Sequence, residues 1–209
     1  MKITSIFERS LLLFFFLFFV IIGKSQNYLG IAGGGGLTGD VGLRAAVVAE
    51  FPVNSFMSFQ SEVVFVQRAN AEIIRRLDPD RDYRQVVLSY LELPLMARFK
   101  LDLDAVELFA LLGIKAGYSV DMRANYVEEG SLSSEKLSFN TNKIDRFDVG
   151  LSLGVGLEKV ISKYRKIFID YRYYLGLYNI DEVPNAEIFN QGSVVNLGFL
   201  IPIGKLEKE

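Results

Sequence analysis

The clearest pattern in the chain is a strict alternation of apolar and polar positions from Arg146 to Glu158. The odd positions are Phe147, Val149, Leu151, Leu153, Val155 and Leu157, and the even positions are Arg146, Asp148, Gly150, Ser152, Gly154, Gly156 and Glu158. A period of two places the two sets on opposite faces of a β-strand. The polar face has almost no apolar bulk and cannot line an ordinary protein core. The segment is therefore typical of a barrel strand with lipid on one side and a polar interior on the other.

Seven further segments follow this rule, some of them more weakly. The eight predicted strands are 28–37, 41–53, 56–68, 86–101, 105–120, 146–158, 166–178 and 192–203. In an antiparallel sheet, alternate connections lie at the same end of the barrel. One end therefore has the three long polar connections 70–85, 121–143 and 179–191, and only the connection between the first two strands is short there. Long loops at one end and short turns at the other are typical of outer-membrane barrels. We therefore predict an all-β fold, an eight-stranded antiparallel up-and-down transmembrane β-barrel.

The charged residues predicted to face inward nearly cancel. The cations are Arg44, Arg98, Lys100, Lys115, Arg146 and Arg172, and the carboxylates are Glu50, Glu62, Glu92, Glu107, Asp148, Glu158 and Asp170. Buried charges are tolerated when they are paired, and side chains fill the interior of a barrel of this size. We expect a barrel-interior charge network that acts as a plug and not as a selective pore.

The first 25 residues predict a secretory signal peptide. Lys2 and Arg9 precede an apolar run from Leu11 to Gly23. As a helix this run would span roughly 20 Å, which is short of the ~30 Å hydrocarbon core of a membrane. Gly23 and Ser25 are small enough for a cleavage site. We expect the mature chain to begin at Gln26 and residues 26–209 to form a single barrel domain; the alternative is a retained anchor helix.

The composition argues against catalysis and against nucleic acid as a partner. The chain has neither Cys nor His, and its net charge is −2. Gly150-Leu-Ser152-Leu-Gly154 matches the G-x-S-x-G nucleophile elbow, but that motif needs a strand-to-helix turn and a histidine partner. The small residues are better explained as space for tyrosines and arginines of neighbouring strands. We expect no enzyme activity and no cofactor.

A possible metal site lies in the first long connection. Asp78, Asp80 and Asp82 have the spacing of the first three calcium ligands of an EF-hand, but Tyr83 and Ser89 stand where the motif needs glycine and glutamate. We interpret these three aspartates as solvated loop carboxylates and predict no metal site.

Two classes of function fit the pattern. The first is an integral outer-membrane protein with a structural or interaction role, a monomer in contact with lipid, whose loops 70–85, 121–143 and 179–191 bind a protein partner. The second is a soluble, lipocalin-like periplasmic carrier of a small apolar ligand, which would need its apolar face inside. A narrow passive channel is a third, weaker possibility. The apolar faces of segments 86–101, 146–158 and 166–178 carry no charge in their middles, which favours the membrane and localisation in the outer membrane.

Five segments also resemble a known family. In chain order they are AEFPVNSFMSFQSEVVFVQRA, YLELPLMARFK, LLGIKAGYSV, RFDVGLSLGVGLE and IDYRYYLGLYNI. Their succession resembles the PorT-like outer-membrane β-barrel family of Bacteroidetes-type bacteria. The resemblance implies an eight-stranded barrel in the outer membrane. It implies no particular activity, because most members have none assigned, although one branch is associated with type IX secretion.

Overall fold

The chain folds almost entirely into β-strands. The structure is a computed structural model that describes residues 26–37, 41–70, 73–77, 82–128, 131–162, 164–183 and 187–204. Its strands are β1 (Asn27–Gly36), β2 (Val41–Pro52), β3 (Met57–Asn70), β4 (Asp82–Asp102), β5 (Glu107–Glu128), β6 (Ser131–Lys136), β7 (Phe147–Ser162), β8 (Arg165–Gly176) and β9 (Gln191–Ile203). A 3₁₀ turn at Ile73–Arg76 and a short helix, α1 (Phe139–Asn142), lie in the connections. No helix in these described ranges is long and apolar enough to cross a membrane.

Eight of the strands close into a barrel. Each of β1, β2, β3, β4, β5, β7, β8 and β9 pairs antiparallel with the next, and β9 pairs back with β1. The remaining strand, β6, pairs with the part of β5 that extends beyond its ladder with β7. The predicted eight-stranded up-and-down barrel is therefore confirmed.

The two faces of the barrel wall have the predicted polarity. On β8, exposed and buried residues alternate without interruption. On β7, Leu153 on the outer face is 46% exposed, whereas Ser152 on the inner face is 7% exposed. Apolar residues thus face outward and charged residues inward, which is the reverse of what a lipocalin-like carrier needs.

Two of the three segments predicted to be long loops are partly β-strand. β3 continues to Asn70 and β4 begins at Asp82, which shortens the first loop. Segment 121–143 contains the end of β5, all of β6 and α1. Beyond Tyr118 the polarity of β5 reverses, because Met122 is fully buried whereas Arg123 is exposed. The outward-facing residues there, such as Arg123 and Asn125, are polar instead of apolar, so this part of the strand has the composition of a loop.

The reversal occurs at a β-bulge in β5. Tyr90 of β4 pairs with Ser119, and Ser89 pairs with Asp121, so Val120 is an extra residue with no counterpart. A bulge shifts the phase of the side chains that follow it. The residues of β5 that face outward have even numbers before Val120 and odd numbers after it.

The connections at the outer end of the barrel form a small hydrophobic core, which we call the outer cap. Its buried members are Ile73, Val86, Leu88, Met122, Ala124, Phe139, Ile144, Ile180 and Ile188. Backbone hydrogen bonds join the last two long connections: Asp145 N–H donates to the Ile180 carbonyl at 2.8 Å, and Glu182 N–H donates to the Lys143 carbonyl at 2.9 Å. The outer end is thus folded and packed, not a set of independent loops.

Candidate functional site

The barrel lumen holds a charge-balanced network. The inward-facing cations are Arg44, Arg68, Arg98, Lys100, Lys115, Lys166 and Arg172, and the inward-facing carboxylates are Glu50, Glu62, Glu92, Glu107, Asp148, Glu158 and Asp170. They come from β2, β3, β4, β5, β7 and β8. Because the polar side chains alternate with lipid-facing ones, the luminal charges of each strand are separated by an even number of positions.

The inner cluster lies toward the end of the barrel with short turns. Arg98 of β4 is completely buried and contacts Glu158 across the lumen at 2.6 Å and Glu50 at 3.6 Å. Lys166 bridges the same two carboxylates at 2.8 Å and 3.4 Å. The Arg98 guanidinium also lies 3.6 Å from the ring centroid of Phe109. This cluster joins four strands, and all four of its charged side chains are buried.

The middle cluster is centred on Glu62 of β3. Arg172 donates to Glu62 at 2.8 Å and to Asp170 at 2.7 Å. Arg44 forms a hydrogen-bonded ion pair with Glu62 and donates to the Asn196 side-chain oxygen at 2.9 Å. Every carboxylate of this cluster therefore faces at least one guanidinium, as buried charges require.

The outer cluster lies below the outer cap. Glu92 accepts hydrogen bonds from Arg68, at 3.0 Å, and from Lys115. The Lys115 ammonium is 3.1 Å from the ring centroid of Tyr174, and the Tyr174 hydroxyl donates to Asp148 at 2.9 Å. Asn190 of the last long connection donates to the same carboxylate at 3.1 Å. This contact ties the outer connections to the lumen.

Little space is left between these clusters. A cavity of about 40 Å³ lies between Arg44, Arg68, Lys115 and Arg172. This is room for a few water molecules at most. A barrel of eight strands has an interior just wide enough for side chains to fill.

Glycines on β7 make room for the large luminal side chains. A β-carbon at Gly150 would stand 2.6 Å from the Tyr174 ring, and one at Gly154 would stand 3.0 Å from the Arg172 side chain. The predicted role of these small residues is confirmed. The G-x-S-x-G segment lies within β7, and Ser152 is part of a continuous ladder instead of a strand-to-helix turn.

The prediction for Arg146 is wrong. β7 begins at Phe147, and the exposed Arg146 side chain lies outside the lumen, 4.3 Å from the ring centroid of Phe139. The apolar–polar alternation of the sequence begins at Arg146, one residue before the ladder does. The other predicted inward-facing residues lie in the lumen: Arg44, Glu50, Glu62, Glu92, Arg98, Lys100, Glu107, Lys115, Asp148, Glu158, Asp170 and Arg172.

Two luminal cations, Arg68 and Lys166, were missing from the predicted set. Each has an even number, like the inward-facing Glu62 on β3 and Asp170 on β8. Alternation alone was enough to find them, although both stand close to the ends of the predicted strands.

Two further predictions concern the aspartates of the first long connection and the signal peptide. Among the described residues, no group of three or more His, Cys, Asp or Glu side chains is placed to hold a metal ion. Asp78 and Asp80 lie outside the described ranges, and the exposed Asp82 pairs with Arg84 at 2.6 Å. The predicted signal peptide, residues 1–25, also lies outside them and stays a prediction.

Comparison with known proteins identifies the domain. The family described as "Outer membrane protein beta-barrel domain" matches residues 25–182. A search of curated proteins gives no match.

Among solved structures, the chain is similar to Neisserial surface protein A, with 16% identity, a TM-score of 0.41 and coverage of 85% of this chain and 95% of that one. It is similar to the attachment invasion locus protein Ail of Yersinia pestis, with 15% identity, a TM-score of 0.40 and coverage of 84% and 97%. For the N-terminal β-barrel domain of Pseudomonas aeruginosa OprF, the identity is 8%, the TM-score 0.40 and the coverage 85% and 100%.

Proposed function

This chain belongs to the outer membrane protein β-barrel family, and we propose that it is a closed membrane anchor that presents an ordered extracellular surface to a partner protein. The barrel lies in the outer membrane, and its end with long connections is extracellular by the general rule for such barrels. The proposed contact regions are segments 70–85, 121–143 and 179–191. The role is structural or interactive, without catalysis or a cofactor.

The observation that carries this proposal is the projection formed by β4, β5 and β6. The ladder between β5 and β7 ends at Tyr118, but β5 continues to Glu128 while paired with β4 and β6. In this region β4 contributes Val86 and Leu88 to the outer cap, and β5 contributes Met122 and Ala124. Near its tip Leu132 is 73% exposed. An anchor alone needs only short connections, so a folded projection with an exposed apolar residue supports a binding role.

The closed lumen supports an anchor over a channel. Arg98 and Glu62 form ion pairs with Glu158 and Arg172 on non-adjacent strands, and Glu92 is paired with Lys115 on the neighbouring strand. An ion entering the barrel would have to separate charges that are already paired and desolvated. We therefore do not propose the passive channel.

The absence of catalysis is also part of the proposal. The sequence has no histidine to act as a general base. Ser152, the candidate nucleophile of the G-x-S-x-G match, points into the lumen from the middle of β7. A nucleophile elbow instead exposes its serine at a sharp turn.

We further infer that the chain belongs to the PorT-like outer-membrane β-barrel family of Bacteroidetes-type bacteria. The five segments that resemble this family fall on β2 and β3, β4, β5, β7 and β8. They keep their order, and they hold luminal charges such as Glu62, Glu92 and Arg172 together with the lipid-facing residues between them. This assignment rests on the sequence resemblance.

The partner is tested with a photo-crosslinking residue placed at Leu132 in intact cells. The same residue at Leu103, 49% exposed in the turn between β4 and β5 at the opposite end, is the matched control. We expect one discrete cross-linked protein from position 132 and a different pattern from position 103. Leu132→Ser should weaken capture of this partner by full-length protein without changing barrel stability. Absence of a discrete product from Leu132 and from the exposed Phe189 would overturn the proposal.

A further inference from the structure

The outer surface of β3, β4 and β5 changes in polarity in successive rows. Strand register places Phe65, Leu91 and Tyr118 in one row. Gln67, Ser89 and Asp121 form the next row toward the extracellular end. Rows two residues apart are separated by roughly 7 Å. The surface thus passes from an apolar and aromatic row to a polar one over the distance between hydrocarbon and headgroups.

The row beyond these is cationic. Arg123 of β5 pairs with Val87 of β4 on one side and with Lys136 of β6 on the other. The bulge at Val120 is what turns Arg123 outward, because without the extra residue Met122 would face out and Arg123 would face the lumen. Bulges commonly re-aim side chains beside binding sites.

These rows border an open groove of about 700 Å³. Phe65, Val87 and Val120 give the groove an apolar part, and Val120 continues the lipid-facing surface below it. Amide side chains of Gln67, Gln85 and Asn125 line the remainder together with the charged residues. The groove is therefore amphipathic along the direction of the membrane normal.

The charge in the groove is net positive. Arg123 donates to Asp121 through Nε at 2.6 Å, and Lys136 lies 3.5 Å from the same carboxylate. The hydrogen bond from Arg123 holds the pKa of Asp121 below its ordinary value, so the carboxylate stays ionised. The Arg123 side chain is 61% exposed and that of Lys136 is 71% exposed. In the described part of the chain the guanidinium bonds only through Nε, which leaves its terminal amino groups directed to solvent.

We propose that this groove binds the phosphorylated saccharide headgroup of an outer-leaflet glycolipid. Arg123 and Lys136 contact the phosphate, because a guanidinium fork matches phosphate oxygens and an ammonium adds a point charge. The amides of Gln67, Gln85 and Asn125 donate to and accept from sugar hydroxyls. An acyl chain follows the apolar side past Val120 and Phe65. The apolar part favours a lipid over a free phosphate, and the amides favour a glycolipid over a phospholipid.

The test is a binding titration of the purified full chain in neutral detergent. The probes are lipid A, dephosphorylated lipid A, phosphatidylglycerol and inorganic phosphate, and native mass spectrometry counts the bound molecules. We expect lipid A to bind more tightly than the other three. The double variant R123Q/K136Q should lose affinity by roughly tenfold or more. Asp121→Asn should retain or tighten binding, because it removes the competing carboxylate.

The matched control is K159Q/R165Q, which removes two exposed cations at the opposite rim. It should leave lipid A binding unchanged, and the gel-shift of the folded barrel should be identical for all variants. Equal binding of dephosphorylated lipid A, or an equal loss with the control, would overturn the site. Equal binding of phosphatidylglycerol would overturn the saccharide assignment, and competition by inorganic phosphate at the same concentration as lipid A would overturn a lipid site.

Discussion

At the residue scale, Arg98 shows how the lumen tolerates a buried charge. Its guanidinium is fully buried, pairs with Glu158 and lies over the Phe109 ring. Desolvation offsets much of the attraction within a buried ion pair, so the pair does not by itself stabilise the fold relative to an apolar pair. Removing one partner is a different matter, because the remaining charge stays buried and loses its counter-ion.

Arg98→Met should therefore destabilise the barrel by about 3–5 kcal/mol. Glu158 and Glu50 would keep Lys166, which contacts both of them, but together they would lose one positive charge. Urea unfolding of protein refolded into lipid vesicles measures the change. The control is Arg84→Met, since Arg84 forms an exposed pair with Asp82 and such pairs contribute less than about 1 kcal/mol. Equal effects of the two substitutions would contradict the buried network.

Close packing in the lumen gives a second prediction at this scale. A β-carbon at Gly198 would collide with the Phe168 ring, whereas one at Gly35 would meet nothing within 4 Å. Gly198→Ala should cost about 1–3 kcal/mol through overpacking, and Gly35→Ala should be near neutral. Adding Phe168→Leu to Gly198→Ala should reduce the added cost of the alanine, and a double-mutant cycle measures this coupling. Independent effects would show that the ring and the glycine do not pack together.

At the element scale, alternation predicted the strands well wherever one face meets lipid and the other meets charge. Leu153 and Ser152 on β7 lie on the faces that the sequence indicated. Alternation was misleading where the surroundings change. Met122 is buried and Arg123 exposed because the bulge at Val120 shifts the phase of β5. The outward face beyond it is polar, so polarity no longer distinguishes strand from loop.

Two other features of the strands could not be predicted from the periodicity of the sequence. The bulge at Val120 has no glycine or proline to mark it; it depends on how β5 registers with β4. Arg146 has the parity of an inward residue, but the ladder begins one residue later. The register of two strands and the end of a ladder both depend on the pairing of two segments and not on the identity of a single residue. Only the structure shows them.

The face assignment of β7 gives a prediction for a whole strand. Leu153→Arg places a charge on the lipid face and should cost roughly 2–4 kcal/mol if the residue lies near the bilayer midplane. Leu153→Phe should be mild, because lipid accommodates a larger apolar side chain. Refolding into vesicles followed by urea titration measures both. Fluorophores at Leu151, Leu153 and Val155 should report hydrocarbon; labels that report a water-exposed surface would contradict the assignment.

At the scale of the whole molecule, apolar and charged side chains are distributed differently in the membrane-spanning barrel and at its extracellular end. Apolar side chains such as Leu93 and Ile114 face outward through the belt, and the lumen holds the paired charges. Above the belt, the apolar side chains of the outer cap turn inward and Asn190 connects the cap to Asp148. The projection of β4, β5 and β6 is therefore joined to a packed base, which suits the proposed binding role.

The same arrangement predicts that the barrel does not conduct. The inner, middle and outer clusters lie in series, and the cavity between the middle and outer clusters has a volume of only about 40 Å³. Purified protein in planar bilayers should show no stable, large conductance. The variant K115A/Y174A trims the outer cluster, but the Arg98–Glu158 pair and the Phe109 ring below it still fill the lumen, so this variant should also remain closed. Reproducible ion-selective openings of the unaltered protein would show that the paired charges separate within the membrane and that the lumen is a pore.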